Sequence, residues 1–440
     1  MNFLTDDVKK LYGKFLTTSI LSALVLSIYS FVDTIAVGQS EGAMGAAAMA
    51  VITPLYGAFV FLAILVGSGG AVLMSSARGE GKAEKGNAYF SAAFLLVAVM
   101  TVVAWLAFLL FHREIFTFFG ADEELMPKVM EYAQWLIRFL PFFIAEPFLG
   151  TFVRTDGNPT LVMISVIIGG GTNMFFDWYL VFPLGMGMEG AAIATVIGTV
   201  LQVGIVATHL FRKDCGLRLV KPYKMSSAFC NIFSIGFGAS ALDFGTVVLP
   251  IMMNNQIMRY TGTTELAVYG VIVTVTALFQ AMFCGVGQAI QPLVSANYGA
   301  KNTARIRSFW RLAFGSVIIL GVIFTVIGEL FPVPMVRLFI DATPDVIEAA
   351  PGIMRLFFVL FIPLGITVLS TYYLQSIMRG KMSTVISILR SAVVSGLLIY
   401  LLPLFLGAVG VWIAIPVSEV IVAGIALWYI NRQDMEKVEG

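Results

Sequence analysis

Asn173 and Asp177 stand four residues apart in GNPTLVMISVIIGGGTNMFFDWYLVFPLGMGMEG, residues 157–190. That spacing puts both side chains on one face of a helix. The run around them, 159–181, is apolar enough to cross a bilayer. A carboxylate inside such a helix costs about 2.5–3.5 kcal/mol on insertion scales, so one kept there is a functional candidate by default. Asp33, in SIYSFVDTIAVGQ, and Thr195, in AAIATVIG, fall at a similar depth in their own apolar runs. Two carboxylates, an amide and a hydroxyl are all oxygen donors. Oxygen suits a hard cation such as Na⁺, and a carboxylate in the same place can carry a proton. The bland role for such groups is hydrogen bonding between helices, which averages only about 0.6 kcal/mol. For Asn173 and Thr195 taken singly both roles stand; for Asp33 and Asp177 a function is the expectation.

Three further acids lie in apolar runs. Asp243, in GFGASALDFG, is the only acid deep in the first helix of the second half. It either titrates during a functional cycle or pairs with a cation such as Arg355 or Arg390. Glu146, flanked by two prolines in PFFIAEPFLG, and Glu419 rank below it.

The elements that must position these groups follow from composition. Of 440 residues, 59% are hydrophobic and 12% charged, half the charged share of about 25% in a soluble domain. Apolar runs of helix length recur along the chain, and the strand alternation of a membrane barrel is absent. The net charge of +1 offers no footprint for nucleic acid. Three scattered cysteines and two histidines, His112 and His209, predict neither a disulfide framework nor a metal cluster. The mixed-charge start, MNFLTDDVKKLYGKF, predicts that the first apolar run is retained rather than cleaved.

At about 20 apolar residues per crossing, twelve spans are expected near 15–37, 46–73, 88–111, 128–153, 159–181, 188–211, 230–258, 266–294, 307–330, 346–376, 383–405 and 408–431. With the N-terminus inside, twenty lysines and arginines fall on inner segments. Four (Arg113, Lys128, Arg259, Arg337) fall outside, and Arg138, Arg355 and Arg390 lie within helices. This bias predicts that both termini are cytoplasmic.

The chain also repeats. Ser76, Ala77 and Lys82 match Ser295, Ala296 and Lys301, and Pro183 and Gly190 match Pro403 and Gly410. The expected fold is an all-α membrane protein with twelve transmembrane helices in two pseudo-symmetric six-helix lobes. These lobes are 1–215 and 229–440, joined by a basic cytoplasmic linker, 216–228. Six crossings per half give both halves the same orientation, a parallel repeat whose substrate path runs between the lobes. Gly169, Gly170 and Gly171 either loosen the fifth helix or admit a close neighbour. Pro54, Pro141, Pro147, Pro250, Pro292, Pro363 and Pro416 favour kinks. Gly185 to Gly190 fits G-x-G-x-x-G, but it joins two membrane helices rather than a strand and a helix, so it is no dinucleotide site. No phosphate-binding G-x-x-x-x-G-K-[ST] loop is present, so energy is expected from an ion gradient or the substrate's own gradient.

Ile28-Tyr29-Ser30-Phe31-Val32-Asp33-Thr34-Ile35-Ala36-Val37-Gly38 and Gln291-Pro292-Leu293-Val294-Ser295-Ala296-Asn297-Tyr298-Gly299-Ala300 resemble the first- and eighth-helix signatures of the multidrug and toxic compound extrusion (MATE) family. Arg154-Thr155-Asp156-Gly157-Asn158-Pro159 resembles its loop after the fourth helix, and Leu389-Arg390 its eleventh-helix arginine. The resemblance covers essentially the whole chain. It implies an antiporter, not an enzyme, that expels amphiphilic cationic compounds in exchange for Na⁺ or H⁺, with no cofactor. Asp33, Asn173, Asp177 and Thr195 carry over as the cation site of the N-terminal lobe, and Asp243 as a weaker contributor from the other lobe. It further implies a monomer in the cell inner (plasma) membrane, with small organic molecules and the lipid bilayer as its partners. Thr17-Thr18 stands where many members have an early proline, Ser30 where many have asparagine, and Tyr372-Tyr373 where some have aspartate. A flippase of a lipid-linked or anionic precursor shares the fold and is the alternative. It calls for several cations in a central cavity, for which Arg138, Arg355 and Arg390 are the candidates. A membrane-embedded enzyme would need clustered His, Asp or Glu near an interface, and a passive channel has little use for paired acids in one lobe.

Overall fold

A segment crossing hydrocarbon must satisfy its own backbone hydrogen bonds, and a helix does so alone. The structure, a computed structural model, describes residues 1–221, 225–339 and 343–439; the side chains of residues 30, 31, 34, 35, 43, 46, 242–248 and 433–439 lie outside the described set. Among the described residues every regular element is helical. In chain order the α-helices are α1 (Val8–Gly79), α2 (Ala83–Phe118), α3 (Met126–Arg138), α4 (Leu140–Thr155), α5 (Pro159–Val181), α6 (Gly187–Ala207), α7 (Met225–Tyr260), α8 (Thr263–Gly299), α9 (Thr303–Leu330), α10 (Pro332–Phe339), α11 (Pro344–Phe358), α12 (Phe361–Ser376), α13 (Gly380–Ile388), α14 (Val394–Leu406) and α15 (Ala408–Glu439). Helix α1 holds the first two predicted spans. It breaks at Gly42, whose φ of 61° and ψ of −143° suit a residue without a Cβ.

Nine described helices are long and apolar enough to cross a membrane, and two bent pairs bring the number to eleven. Helix α7, 36 residues long, occupies the remaining predicted span. The bent pairs fall where two of the expected proline kinks lie, inside spans 128–153 and 346–376: α3 and α4 meet at 55°, and α11 and α12 at 41°. Pro141 and Pro363 lie in the first turns of α4 and α12. Each lacks an N–H, and each ring crowds the carbonyl four residues back, so the preceding helix cannot run on. Pro147, Pro292 and Pro416 stay inside their helices. A five-residue π turn, Leu389–Val393, separates α13 from α14.

The chain forms two compact units. The first comprises Met1–Asp6, Gly13–Gly236 and Gly299–Lys301; the second comprises Asp7–Tyr12, Phe237–Tyr298 and Asn302–Gly440. In the first, Phe152 is fully buried with Phe90 and Phe148 at ring-centroid distances of 4.9 Å. In the second, Phe279 stacks on Phe324 at 3.9 Å, and Phe358 meets Phe361 edge-on at 5.0 Å. In a bilayer this packing, rather than water exclusion, holds helices together.

Helices α5 and α6 illustrate the point. A Cβ on Gly169 would lie 2.1 Å from Gln202 Cγ and 2.8 Å from the Gly198 carbonyl. A Cβ on Gly198 would lie 2.8 Å from the Gly169 carbonyl and 2.9 Å from Asn173 Cβ. The two glycines therefore let the backbones touch. Gly170 receives Tyr29 on its other side, at 3.0 Å, whereas Gly171 faces open space. Of the two readings open for the glycine triplet, close approach holds at Gly169 and Gly170.

Candidate functional site

The backbone contact at Gly169 and Gly198 sets the register of α5 on α6. One turn further along α5, Asn173 faces Thr195 of α6, and its Nδ2 donates to Thr195 Oγ1 at 3.3 Å. Helix α3 closes a second side. Its buried residues Met126, Val129, Tyr132, Ala133, Leu136 and Ile137 recur at three- and four-residue intervals, so one stripe faces inward. Trp135 Nε1 donates to Glu189 Oε1 at 3.1 Å and pins α3 to the start of α6. Tyr132, on that stripe, donates from its phenol to Asp33 Oδ2 at 3.3 Å and lies 3.2 Å from Thr195 Oγ1. Thr195 Oγ1 in turn donates to the Ala191 carbonyl at 3.0 Å.

Asp33, Tyr132, Thr195 and Asn173 thus form one hydrogen-bonded chain, with Asp177 one turn beyond Asn173 and within electrostatic reach of Asp33. Exposure is 8% at Asp33, 2% at Asn173 and 0% at Asp177. Four buried oxygens here, Asp33 Oδ1, Asn173 Oδ1 and both of Asp177, have no hydrogen-bond partner among the described residues. Unmatched buried acceptors are costly, the more so when charged. All four can be satisfied by a positive ligand, either protons on the carboxylates or a hard cation that takes oxygen donors. The donor set fits both.

The structure does not extend this treatment to Asp243, whose side chain lies outside the described residues. The cations considered for it take other acids. Arg390 donates from Nε to Glu419 Oε1 at 2.5 Å and from Nη2 to Gln280 Oε1 at 2.8 Å. Arg355 lies 3.7 Å from Glu329 Oε2. Glu419, ranked last by sequence, is 1% exposed and is the buried partner of Arg390. Glu146 lies within electrostatic reach of Tyr29 and Tyr56, which are themselves within reach of Asp33.

Sequence reasoning missed Tyr132. Its only signal was its place on the apolar stripe of α3. A second constellation was also missed. The Asp156, His209 and Cys215 ligand atoms lie within 4.8 Å of one another, where a scattered His and Cys count predicted no cluster. Asp156 Oδ1 accepts from Arg78 Nη1 at 2.5 Å; its Oδ2 accepts from His209 at 2.7 Å and from the Gly216 N–H at 2.9 Å. Both oxygens are already engaged, so the group is a hydrogen-bonded clasp. Burial pushes the Asp156 carboxyl up, but the His209 bond, the Arg78 cation and the Gly216 N–H outweigh it and hold the carboxyl below its ordinary 3.8. Asn158 extends the clasp to α5. Its Oδ1 caps the Leu161 N–H at 3.3 Å and its Nδ2 sits 3.3 Å from His209 Nδ1.

Comparison with known proteins adds three findings. The sequence model of the MatE family matches residues 19–179 and 240–401. The multidrug export protein MepA of Staphylococcus aureus is 24% identical over 452 residues, covering 100% of this chain and 98% of that protein. MepA of Staphylococcus haemolyticus is 23% identical over 441 residues, covering 99% and 97%. Among solved structures, an outward-facing multidrug resistance MATE family transporter of the MOP superfamily superposes with a TM-score of 0.91 at 21% identity, over 99% of this chain and 98% of that one. A MOP superfamily transporter from Pyrococcus furiosus also gives a TM-score of 0.91 at 21% identity, over 100% and 98%. The likeness shows the fold: an all-α, multi-pass membrane protein with twelve transmembrane helices in two six-helix halves.

Proposed function

Because this chain belongs to the MatE family of membrane transporters, not enzymes, we propose that it is a multidrug efflux antiporter. It expels amphiphilic, cationic organic compounds in exchange for Na⁺ or H⁺ by alternating access. The observation that carries the coupling step is the set of four partnerless oxygens on Asp33, Asn173 and Asp177 around Tyr132. A Na⁺ ion arriving there offsets one of the two buried negative charges, and protons can offset both, so either changes the relative stability of the two access states. Coupling requires that the ion bind one state more tightly than the other, and a buried, partnerless acid pair supplies such a difference. The export of several compounds rests on the relatives named multidrug export proteins.

The working arrangement is a monomer in the plasma membrane with both termini cytoplasmic. Lobes 1–215 and 229–440 rock about the linker 216–228, and Asp243 contributes from the second lobe. The flippase alternative loses support from one ion pair: Arg390, a cation it would need for an anionic precursor, is buried against Glu419.

The test is efflux of a fluorescent organic cation from energised vesicles, with Na⁺ and H⁺ gradients imposed separately. One gradient is expected to drive export in the wild type. Asp33→Asn and Asp177→Asn are each expected to abolish gradient-driven export while the protein still inserts and folds. Full gradient-driven export in both variants would remove these acids from the coupling step.

A further inference from the structure

In the second unit a groove of about 590 Å³ runs along the outside of α15. Pro416, Val417, Val420 and Ile421 form its floor and Leu356 of α11 one wall. Spacings of one, three and four residues place the floor on a single helix face. From Ile413 to Ile421 the groove follows about 12 Å of helix at 1.5 Å per residue. This is close to half of a roughly 30 Å hydrocarbon core, the depth that one acyl chain fills. Val420 is 57% exposed, Ile421 41% and Leu356 40%.

One end of the groove is charged. Glu329, next to last in α9, and Arg355 both line it. Their side chains are 38% and 57% exposed, and the ion pair is loose at 3.7 Å. Arg355 Nε donates to the Glu329 backbone carbonyl at 3.3 Å, which turns the rest of the guanidinium outward. Among the described residues, neither Arg355 Nη nor Glu329 Oε1 has a hydrogen-bond partner. A cation and an anion are thus presented side by side at the head of an apolar slot. The matching headgroup carries a phosphate for the guanidinium and an ammonium with N–H donors for the carboxylate. A purely anionic head would face Glu329, and a purely cationic one Arg355.

We propose that this groove seats one phospholipid with a phosphoethanolamine headgroup, its acyl chain along α15 and its head across Arg355 and Glu329. The site is separate from the acid cluster of the first unit and does not depend on the export reading. The test uses the full chain, delipidated in detergent and offered an equimolar mixture of phosphatidylethanolamine, phosphatidylcholine and phosphatidylglycerol with identical acyl chains. Retained lipid is counted by mass spectrometry of the intact protein. One phosphatidylethanolamine per chain is expected, enriched by about fivefold over the other two, the size of a well-formed exposed ion pair. The double variant Arg355→Gln/Glu329→Gln, which alters only exposed side chains, is expected to retain lipid without headgroup preference. Val417→Trp, which fills the groove, is expected to lose the lipid while the thermal midpoint of the lipid-free protein stays put. Equal retention of all three lipids by the wild type, a preference for phosphatidylglycerol, or wild-type retention in both variants would overturn the proposal.

Discussion

At the scale of single residues, the proton count around Tyr132 is informative. Its phenol has one proton and gives it to Asp33, while Thr195 has one hydroxyl proton to spend on Ala191 or on Tyr132. When a cation or proton satisfies Asp33, the phenol is free to turn toward Thr195. Under the proposed coupling role, Tyr132 therefore stabilises the empty, ionised site. Tyr132→Phe is expected to make the coupling ion bind more tightly, by about tenfold for one lost bond to a charged group at roughly 1.5 kcal/mol. Export should slow because release is slower. The measurement is the ion concentration that half-saturates efflux, and a rise instead of a fall would contradict this role. The acids were legible in the sequence because a carboxylate in an apolar run is expensive wherever the helix ends up. Tyr132 was not. A tyrosine is equally at home in a core or at a membrane interface, and only the docking of α3 on α6 decides which.

At the scale of elements, helix existence was legible because bilayer thickness dictates length, and the prolines foretold bends. Which prolines bend the chain was not legible. Pro141 and Pro363 stand in the first turns of new helices, whereas Pro147 and Pro416 are accommodated mid-helix. Helix pairing was legible only as a glycine triplet; the partner glycine, Gly198, is 29 residues from Gly169 in sequence and was not singled out. The α5–α6 contact gives a paired prediction. Gly169→Val should destabilise by about 1–3 kcal/mol, as overpacked sites do, and should part Asn173 from Thr195. Gly171→Ala, facing open space, should be neutral or stabilising by up to about 1 kcal/mol through helix propensity. Thermal midpoints in detergent, read beside efflux, check both; a tolerated Gly169→Val would mean that the two backbones do not touch.

At the scale of the whole molecule, the duplication was legible from matched Pro, Gly and Lys positions, and the MatE model fits twice, beginning at residues 19 and 240. The clasp at Asp156 was not legible. Arg78, Asp156 and the His209–Gly216 segment are far apart in the chain, and Asp156 and Gly216 look like ordinary loop residues. Its consequence for stability has a definite sign. The folded carboxyl lies below its ordinary 3.8. It therefore contributes stability that is fully present above that value and is lost as pH falls through the lower, folded one. Thermal midpoints measured through the acid range should drop below about pH 4, and Asp156→Asn should flatten that limb while lowering the midpoint at neutral pH. An unchanged acid limb in the variant would assign the drop to other groups.

The clasp also dictates where foreign sequence can be spliced into this protein. Gly216 gives its N–H to Asp156, a Cβ there would lie 2.7 Å from Asp156 Oδ1, and Val220 N donates to Ser91 Oγ at 2.8 Å. A protease site or fluorescent reporter placed between Asp214 and Leu217 would pry open the pocket that receives Arg78 and His209, and with it the cap on the helix bearing Asn173 and Asp177. The same cassette placed after Lys221 lies beyond both tethers, and cutting it there should leave the clasp and the cap on α5 in place.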